Sequence, residues 1–415
     1  MSECCIGIGE ISSFFKYMII FIIFNLVKDI CYENSSLKNF KLIGSLYKYL
    51  GFAIFGAILY YISIKRHNDN TNSREIEKNE KNKLIYNKIS LNLEVENKFL
   101  FYLICFFYIL FFESLQYIKY LGFSIVFIWT FDFISMFIFV HIFYRKKMYR
   151  HQKCSMLFII IVDTALLIRA SFIKTIPKTD PKENIYQNKG IGIGLAIIFI
   201  FICITSLNSF DRVKIKTYID EQFVSPYQII FLIGFFGFII NLIISIVVFF
   251  KGNNCNESCF KEDNSNNNDC KTFYCYSNIY QYFKNYKFSS LNIMLIILYM
   301  IFYFISLTSE FLIIKYLDPF HVNISDVLYF GIRNVISFFK NKDNITQFLI
   351  LQTAELLAFI GCAVFLEIIE LRCCELNTNL RKNITKRERL ESTLSSLMSI
   401  GINDDMDNNE DVSAG

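Results

Sequence analysis

Apolar runs of about 20 residues, the length that crosses a bilayer as an α-helix, alternate with polar segments along the whole chain. They predict an all-α polytopic membrane protein with ten transmembrane helices. The predicted spans are 14–31, 42–64, 98–118, 122–144, 154–173, 190–210, 227–250, 290–314, 321–339 and 347–371. The ninth, HVNISDVLYFGIRNVISFF, is the least apolar, because it carries Asn323, Asp326, Arg333 and Asn334.

Composition agrees with this pattern. Hydrophobic residues make up 54% of the 415 residues, and there are 46 Phe and only four Pro. This apolar share is higher than in ordinary soluble proteins. The formal net charge of +5 is spread over loops in which acids and bases are mixed, so it does not predict nucleic-acid binding.

Lysine and arginine are concentrated in three of the segments that connect or follow the predicted spans. These segments follow span 2, span 4 (YRKKMYRHQK) and span 10. With ten spans all three lie on one side of the membrane, and the positive-inside rule makes that side the cytosol. Both termini are then cytosolic, with residues 1–13 before the first span and a basic, then acidic and disordered tail at 372–415. The charged segment 65–97 is predicted to be a mobile loop.

Cysteines occur in two polar settings that bear on modification. Four lie in the segment 251–289, on the predicted non-cytosolic side, where an oxidising compartment favours two disulfides in any of three pairings. Zinc binding or free thiols are the alternatives, although the spacing is not a standard zinc pattern. These four residues are Cys255, Cys259, Cys270 and Cys275. Cys373 and Cys374 follow span 10 among basic residues, so they are either lipidation sites or unmodified thiols.

The tetrapeptide IKYL occurs twice, at 118–121 and at 314–317. Each copy ends an apolar helix that carries a Ser and a Glu, and a very short connection to the next helix follows. The first copy joins spans 3 and 4 and the second joins spans 8 and 9, which is an offset of five spans. Because five is odd, the second copy must cross the membrane in the opposite direction. The pattern therefore predicts two inverted five-helix repeats, at 14–173 and 190–371, with a site between them near the midplane.

This arrangement resembles the drug/metabolite transporter superfamily. The stretch RVKIKTYIDEQFVSPYQIIFLIGFFGFIINLII, at 212–244, is similar to the span 6–7 region of nucleotide-sugar transporter relatives, and GIRN at 331–334 is loosely similar to their ninth helix. The cysteine-bearing loop between spans 7 and 8 is similar to that of the chloroquine-resistance-transporter-like branch. The resemblance implies transport of a small metabolite, with nucleotide sugars, phosphorylated metabolites, amino acids or drug-like cations as candidate substrates.

Polar residues inside the predicted spans are the candidate substrate-cavity residues, because such groups are costly in lipid and therefore face a cavity or a partner. Asp326 and Arg333 lie seven residues apart, about two turns, on one face of span 9. They either line the pathway, where the guanidinium suits an anionic substrate group, or compensate each other or neighbouring helices. Asp132 in span 4 suits a proton-coupled step or a structural hydrogen bond.

Three further polar residues are cavity candidates by the same argument. Gln352 and Glu355 are neighbours on span 10, and Asn241 on span 7 either binds substrate or holds helices together. Glu113 and Glu310 lie near their helix ends, and for them snorkelling to the membrane interface is the preferred interpretation over ion binding.

The functional prediction is a secondary transporter that moves an anionic or zwitterionic metabolite by alternating access. The alternative is a membrane scaffold or receptor that binds a partner through the span 7–8 loop. No enzyme signature is present in the sequence, and no cofactor or metal is predicted. The hypothesis includes membrane lipid and a small-molecule substrate as partners, and leaves proton coupling and a homodimer open. It places the protein in a eukaryotic endomembrane (Golgi, ER or vacuole) rather than in the plasma membrane.

Overall fold

The computed structural model describes residues 6–8, 15–77, 98–118, 125–144, 149–173, 191–251, 282, 289–341 and 345–371. Within these ranges the chain is all-helical apart from two three-residue strands. We number its α-helices in chain order. They are α1 (Phe15–Asn34), α2 (Lys41–Glu77), α3 (Lys98–Ile118), α4 (Ile125–Tyr144), α5 (Arg150–Ile173), α6 (Ile191–Asp220), α7 (Pro226–Lys251), α8 (Ser290–Tyr316), α9 (Pro319–Asn341) and α10 (Ile345–Phe365).

Four stretches of these helices are long and apolar enough to cross a membrane, among the residues that the structure describes. They are Leu42–Arg66, Pro226–Phe250, Ser290–Tyr316 and Phe348–Phe365. Shorter apolar stretches occur in α3 and α4. The apolar helices indicate an integral membrane protein, as the sequence predicts.

The distribution of polarity in the helices is that of a protein surrounded by lipid. On α9 the large apolar residues Ile332, Ile336 and Phe339 are exposed, whereas Asn323 and Asp326 on the same helix are buried. A soluble protein would reverse this arrangement, because water favours charged side chains on the outside. Asn323 and Asp326 thus lie inside the protein, while Ile332, Ile336 and Phe339 face outward.

The helices form one bundle with a simple pattern of neighbours. α1 packs against α8 and α9, and α6 packs against α3 and α4. α2 packs against α7 and α8, and α3 also packs against α7. α5 packs against α4 and α10, while α9 packs against α4 and α10. The core shared by these contacts is built mainly from Phe, Tyr and Ile side chains.

Glycines allow the close approach of α2 and α7. A Cβ atom on Gly234 would lie 2.3 Å from the backbone nitrogen of Ala53, and one on Gly56 would lie 2.9 Å from that of Phe231. A Cβ on Gly237 would lie 2.3 Å from the ring of Tyr49. Such contacts let helix backbones come together without a side chain between them, which is a common mode of packing in membranes.

The connection between α8 and α9 is very short. The backbone N–H of Phe320 donates to the Asp318 carboxylate at 3.2 Å, so Asp318 caps the first turn of α9. The start of α1 lies at the same end of the bundle, because Tyr17 stacks on Tyr316 with ring centroids 5.6 Å apart. We call this the hairpin end of the bundle.

A two-stranded ribbon, three residues long, joins distant parts of the sequence. Strand β1 (Ile6–Ile8) pairs antiparallel with strand β2 (Ile369–Leu371), with Ile6 opposite Leu371. The segment before α1 therefore lies beside the segment after α10.

Two boundaries differ from the sequence prediction. α2 continues to Glu77, into the segment that was predicted to be a mobile loop from residue 65. α6 continues to Asp220, ten residues beyond the predicted end of span 6. The four cysteines of the predicted disulfides, Cys373, Cys374 and the tail lie outside the described residues.

Candidate functional site

Arg212 lies at the centre of a buried ionic cluster. It is only 1% exposed and is the largest of the fully enclosed side chains among the described residues. It occupies this position because α6 continues beyond its apolar run as far as Asp220. Val213, Ile215 and Tyr218 in this extension are buried against the bundle. The guanidinium is thereby carried into the bundle, about 12 Å from the end of α6 at 1.5 Å per residue.

Three carboxylates from three other helices surround this guanidinium. Its Nη1 donates to Asp132 Oδ2 on α4 at 2.8 Å, and its Nη2 lies 3.1 Å from Asp326 Oδ2 on α9. Its Nε donates to Glu310 Oε1 on α8 at 3.1 Å. Nη1 also donates to Asn323 Oδ1 at 2.5 Å. We call these five residues the central cluster.

Neighbouring polar groups complete the hydrogen bonding of the carboxylates. Asn208 Nδ2 donates to Asp132 Oδ2 at 3.1 Å, and Ser209 Oγ contacts Asp132 Oδ1. The Tyr108 hydroxyl on α3 donates to Glu310 Oε2 at 3.2 Å. The central cluster, together with Tyr108, therefore links α3, α4, α6, α8 and α9 through charge-assisted hydrogen bonds, which are about twice as strong as neutral ones.

The central cluster carries more negative than positive charge. With all groups ionised, three carboxylates against one guanidinium give a formal charge of −2. None of the four charged residues is more than 4% exposed, so water screens these charges little. Transfer of ions from water into a protein interior costs several kcal/mol per ion unless they are fully paired.

A second buried ion pair joins α2 to α3. Lys48 Nζ lies 2.8 Å from Glu113 Oε1, and Ser45 Oγ donates to the same carboxylate at 3.0 Å. Lys48 is 1% exposed, and its ammonium group also lies 4.2 Å from the ring centroid of Tyr49. This pair is formally neutral, in contrast to the central cluster.

A third group of charges lies between α1 and α9, and we call its members Lys28, Asp29, Tyr329 and Arg333 the Asp29 cluster. Arg333 Nη1 lies 3.3 Å from Asp29 Oδ2, which also accepts a hydrogen bond from the Tyr329 hydroxyl. Lys28 Nζ is 4.0 Å from Asp29 and 4.3 Å from the ring centroid of Tyr303. Glu33, one turn further along α1, is also close enough to Arg333 for their charges to interact. The side chain of Arg333 is 34% exposed, so this cluster is open where the central cluster is closed.

The remaining predicted site residues lie apart from these clusters. Glu355 accepts hydrogen bonds from Gln352 Nε2 at 2.7 Å and from Asn334 on α9, so Gln352 and Glu355 are neighbours as predicted. Asn241 donates to the carbonyl of Gly237 at 2.9 Å within α7. Its Oδ1 has no hydrogen-bond partner among the described residues, although the side chain is buried.

Several sequence interpretations are corrected by these contacts. Glu310 does not snorkel to an interface, because it is buried against Arg212, and Glu113 is bound by Lys48. Asp326 and Arg333 are paired with neighbouring helices, which was one of the alternatives left open, and not with each other: Asp326 binds Arg212 and Arg333 binds Asp29. The partners come from helices distant in sequence, which periodicity along α9 cannot reveal.

Arg212, Lys48, Lys28 and Asp29 were missed as site residues. Arg212 was assigned to the polar linker after span 6, since the charges of DRVKIK end the apolar run. The apolar positions 213, 215, 218 and 219 were the available signal that the helix continues.

Among the described residues, no group of three or more His, Cys, Asp and Glu side chains is arranged to hold a metal ion. No protein-family model matches the chain, and no curated protein matches it in sequence. The function is therefore inferred from the helix packing and the charged clusters.

Proposed function

We propose that the protein is a secondary transporter built from two inverted five-helix repeats, α1–α5 and α6–α10, which carries a small anionic or zwitterionic metabolite by alternating access. In this proposal all ten helices cross the membrane, and the substrate pathway runs between the two repeats. Membership of the drug/metabolite transporter superfamily, which the sequence resembles, is part of the same proposal.

The observation that carries the proposal is an exchange symmetry in the packing. The test exchanges each helix of the first repeat with its counterpart in the second, so that α1 exchanges with α6, α2 with α7, and so on up to α5 with α10. Under this exchange the α1–α8 contact becomes α6–α3, and the α1–α9 contact becomes α6–α4. It likewise turns α2–α8 into α7–α3, and α9–α10 into α4–α5. The contacts α2–α7, α4–α9 and α5–α10 map onto themselves. Two repeats related by a twofold axis produce this pattern, and an odd number of spans per repeat makes them inverted.

The same contacts depart from the symmetry at α8, which also touches α7 and α9 without comparable α3–α2 and α3–α4 contacts among the described residues, and at α6. The departure at α6 supports alternating access. α6 also touches α8 and α9, around Arg212, whereas among the described residues α1 makes no comparable contact with α3 or α4. One end of an inverted-repeat transporter is closed while the equivalent end is open. We therefore infer a state that is closed at the hairpin end, with the central cluster holding that end together.

The Asp29 cluster supports an anionic or zwitterionic substrate. Lys28 and Arg333 both lie beside Asp29, Glu33 is also close enough to Arg333 for their charges to interact, and the Arg333 guanidinium is partly exposed. A guanidinium suits bidentate binding of a carboxylate or phosphate, and the nearby rings of Tyr303 and Tyr329 supply apolar faces. The cluster lies about 10 Å along α9 from Asp326, on the side away from the hairpin end.

The orientation in the membrane remains part of the proposal. The pairing of β1 with β2 supports the placement of the segments before α1 and after α10 on one side, which the positive-inside rule makes the cytosol. An endomembrane location follows only from the sequence.

Uptake into proteoliposomes tests the proposal. The purified protein is reconstituted and assayed with labelled nucleotide sugars, sugar phosphates, amino acids and an organic cation as separate classes. We expect saturable uptake of an anion or zwitterion that is lost in Arg333→Gln and retained in Arg150→Gln, a matched change at an exposed arginine on α5. Folded protein with neither uptake nor a ligand-induced thermal shift in any class would instead favour the scaffold or receptor, whose proposed binding loop lies mostly outside the described residues.

A further inference from the structure

Asp211 is a buried carboxylic acid that belongs to none of the charged clusters. It is 0% exposed, and neither of its carboxyl oxygens has a hydrogen-bond partner among the described residues. The three carboxylates of the central cluster differ from it, because each of them binds the guanidinium of Arg212. An ionised carboxylate with neither a cation nor a hydrogen-bond donor is very costly in a protein interior, and such a group becomes neutral instead.

The carboxyl group of Asp211 lies on the side of α6 that packs against α3. Tyr218, about two turns further along α6, packs edge-on against Phe101 of α3, with ring centroids 4.9 Å apart. Asp211 is close enough to Cys105 of α3 for their charges to interact. Phe101 and Cys105 are both buried, so the described part of this contact surrounds Asp211 with apolar groups and a weakly polar thiol.

The charged groups on the other helices that pack against α6 do not neutralise Asp211. They are the carboxylates that bind Arg212, namely Asp132 on α4, Glu310 on α8 and Asp326 on α9. On α3 the Tyr108 hydroxyl donates to one of these carboxylates. Arg212 follows Asp211 directly, but successive residues of a helix point about 100° apart, and the guanidinium is directed to the central cluster. Among the described residues no basic side chain therefore offsets a charge on Asp211.

A second unsatisfied acceptor lies one turn earlier on α6. Asn208 is 0% exposed and donates from Nδ2 to Asp132 at 3.1 Å, but its Oδ1 accepts no hydrogen bond among the described residues. Side chains three residues apart are neighbours on a helix surface. With Asp211 ionised, the two residues would present three buried acceptor atoms and no donor to match them. One proton on Asp211 removes its charge and supplies a donor beside Asn208 Oδ1.

We propose that Asp211 is a proton-binding site, which is occupied while α6 packs against α3. The proton comes from solvent water and returns to it, forming and breaking one O–H bond with no change of oxidation state. Its release puts an unpaired charge between α3 and α6, so release requires that water enters this contact or that α6 leaves it. Because Arg212 is the next residue, such a movement of α6 also disturbs the central cluster. Use of the proton as a coupling ion rests on the proposed transport function, whereas its presence does not.

Infrared spectroscopy of the full-length protein in lipid nanodiscs tests the proposal without any substrate, since a protonated carboxyl has a C=O band separate from that of a carboxylate. At neutral pH we expect a protonated band that shifts when aspartate is labelled with ¹³C at its carboxyl carbon. Asp211→Asn removes this band. Asp211→Glu gives an independent measurement, because its protonated band should no longer shift on aspartate labelling.

Stability gives a second measurement on the same variant. Asparagine matches a neutral aspartic acid in shape, so we expect Asp211→Asn to fold. Its melting temperature should equal or exceed that of wild type at neutral pH, because asparagine needs no proton to stay uncharged. Asp29→Asn is the matched control: Asp29 is partly exposed and paired with Arg333, so this change should leave the protonated band in place.

Three results would overturn the proton site. One is a set of spectra in which Asp211→Asn and Asp211→Glu leave every protonated band as it is in wild type, even if uptake is found. Another is a sodium-dependent carboxylate band that Asp211→Asn removes, since a bound Na⁺ would then neutralise Asp211 in place of a proton. The third is a strongly lowered melting temperature of Asp211→Asn. An assigned Asp211 band without uptake of any substrate class would instead contradict the transport function and leave the proton site standing.

Discussion

The central cluster and the Asp29 cluster use the same kinds of side chain for opposite arrangements. In the central cluster one guanidinium serves three carboxylates, and no charged side chain is more than 6% exposed. In the Asp29 cluster Lys28 and Arg333 lie beside Asp29, with Glu33 also near Arg333, and the side chains of Asp29 and Arg333 are 21% and 34% exposed. The first arrangement holds five helices together and leaves little room for a ligand. The second leaves positive charge accessible, which is what recognition of an anion requires.

The largest expected effect is on the central cluster. Arg212→Gln leaves three buried carboxylates without their cation, and breaking a buried ion pair costs roughly 3–5 kcal/mol. We expect poor folding or a strongly lowered melting temperature of the purified protein. The comparison variant is Arg333→Gln, where the partly exposed pair with Asp29 contributes about 1 kcal/mol or less. Equal losses of stability in the two variants would contradict the distinction between the clusters.

The next largest expected effect is the loss of substrate affinity when Arg333 of the Asp29 cluster is replaced. Removing a charged hydrogen bond to an anion costs about 1.5–3 kcal/mol, so Arg333→Gln should weaken substrate affinity roughly tenfold to hundredfold. Arg333→Lys keeps the charge but loses the bidentate geometry, and we expect an intermediate loss. Ligand-dependent thermal shift measures both. Unchanged affinity in Arg333→Gln would remove the Asp29 cluster from the substrate site.

A smaller effect concerns stability at Asp29. Asp29→Asn removes the carboxylate from a partly exposed pair, so the free energy of unfolding should fall by about 1 kcal/mol or less. The variant also removes the carboxylate that both Lys28 and Arg333 approach, and affinity for an anion should rise. Thermal unfolding with and without substrate checks both directions. A decrease in both stability and affinity would indicate that Asp29 positions Arg333 for binding.

The smallest expected effect is that of salt concentration on substrate affinity. Exposed charges are screened over about 8–10 Å at physiological ionic strength, whereas buried pairs are screened much less. Raising the salt concentration should weaken substrate affinity at the Asp29 cluster. It should leave the difference in melting temperature between wild type and Arg212→Gln unchanged. A salt-dependent difference would mean that water reaches the central cluster.

The sequence predicts the helices better than it predicts their contacts. Apolar runs locate the helices because each long run must be buried in lipid or protein, and Asp132 and Asp326 stand out because they interrupt such runs. The partners of Asp326 and Arg333 could not be located in this way. They come from α6 and α1, and only the folded bundle brings those helices to α9. Two residues on one face of a helix need not bind each other.

Arg212 shows the second reason why the site was incompletely predicted. A charged residue just after an apolar run resembles a loop residue, and the run VKIK after it carries two more charges. Its burial depends on the extension of α6 to Asp220 and on three carboxylates contributed by other helices. Glu310 was misassigned for the same reason, because its cation is 98 residues away in the chain.

The central claim is that the hairpin end must open and close during transport, and cross-linking tests it most directly. Tyr17 and Tyr316 stack across that end. A cleavable thiol cross-linker applied to the Tyr17→Cys/Tyr316→Cys variant in proteoliposomes should abolish uptake, and cleavage should restore it. Each single variant, treated in the same way, controls for the 13 native cysteines. Full uptake by the cross-linked double variant would contradict alternating access at this end.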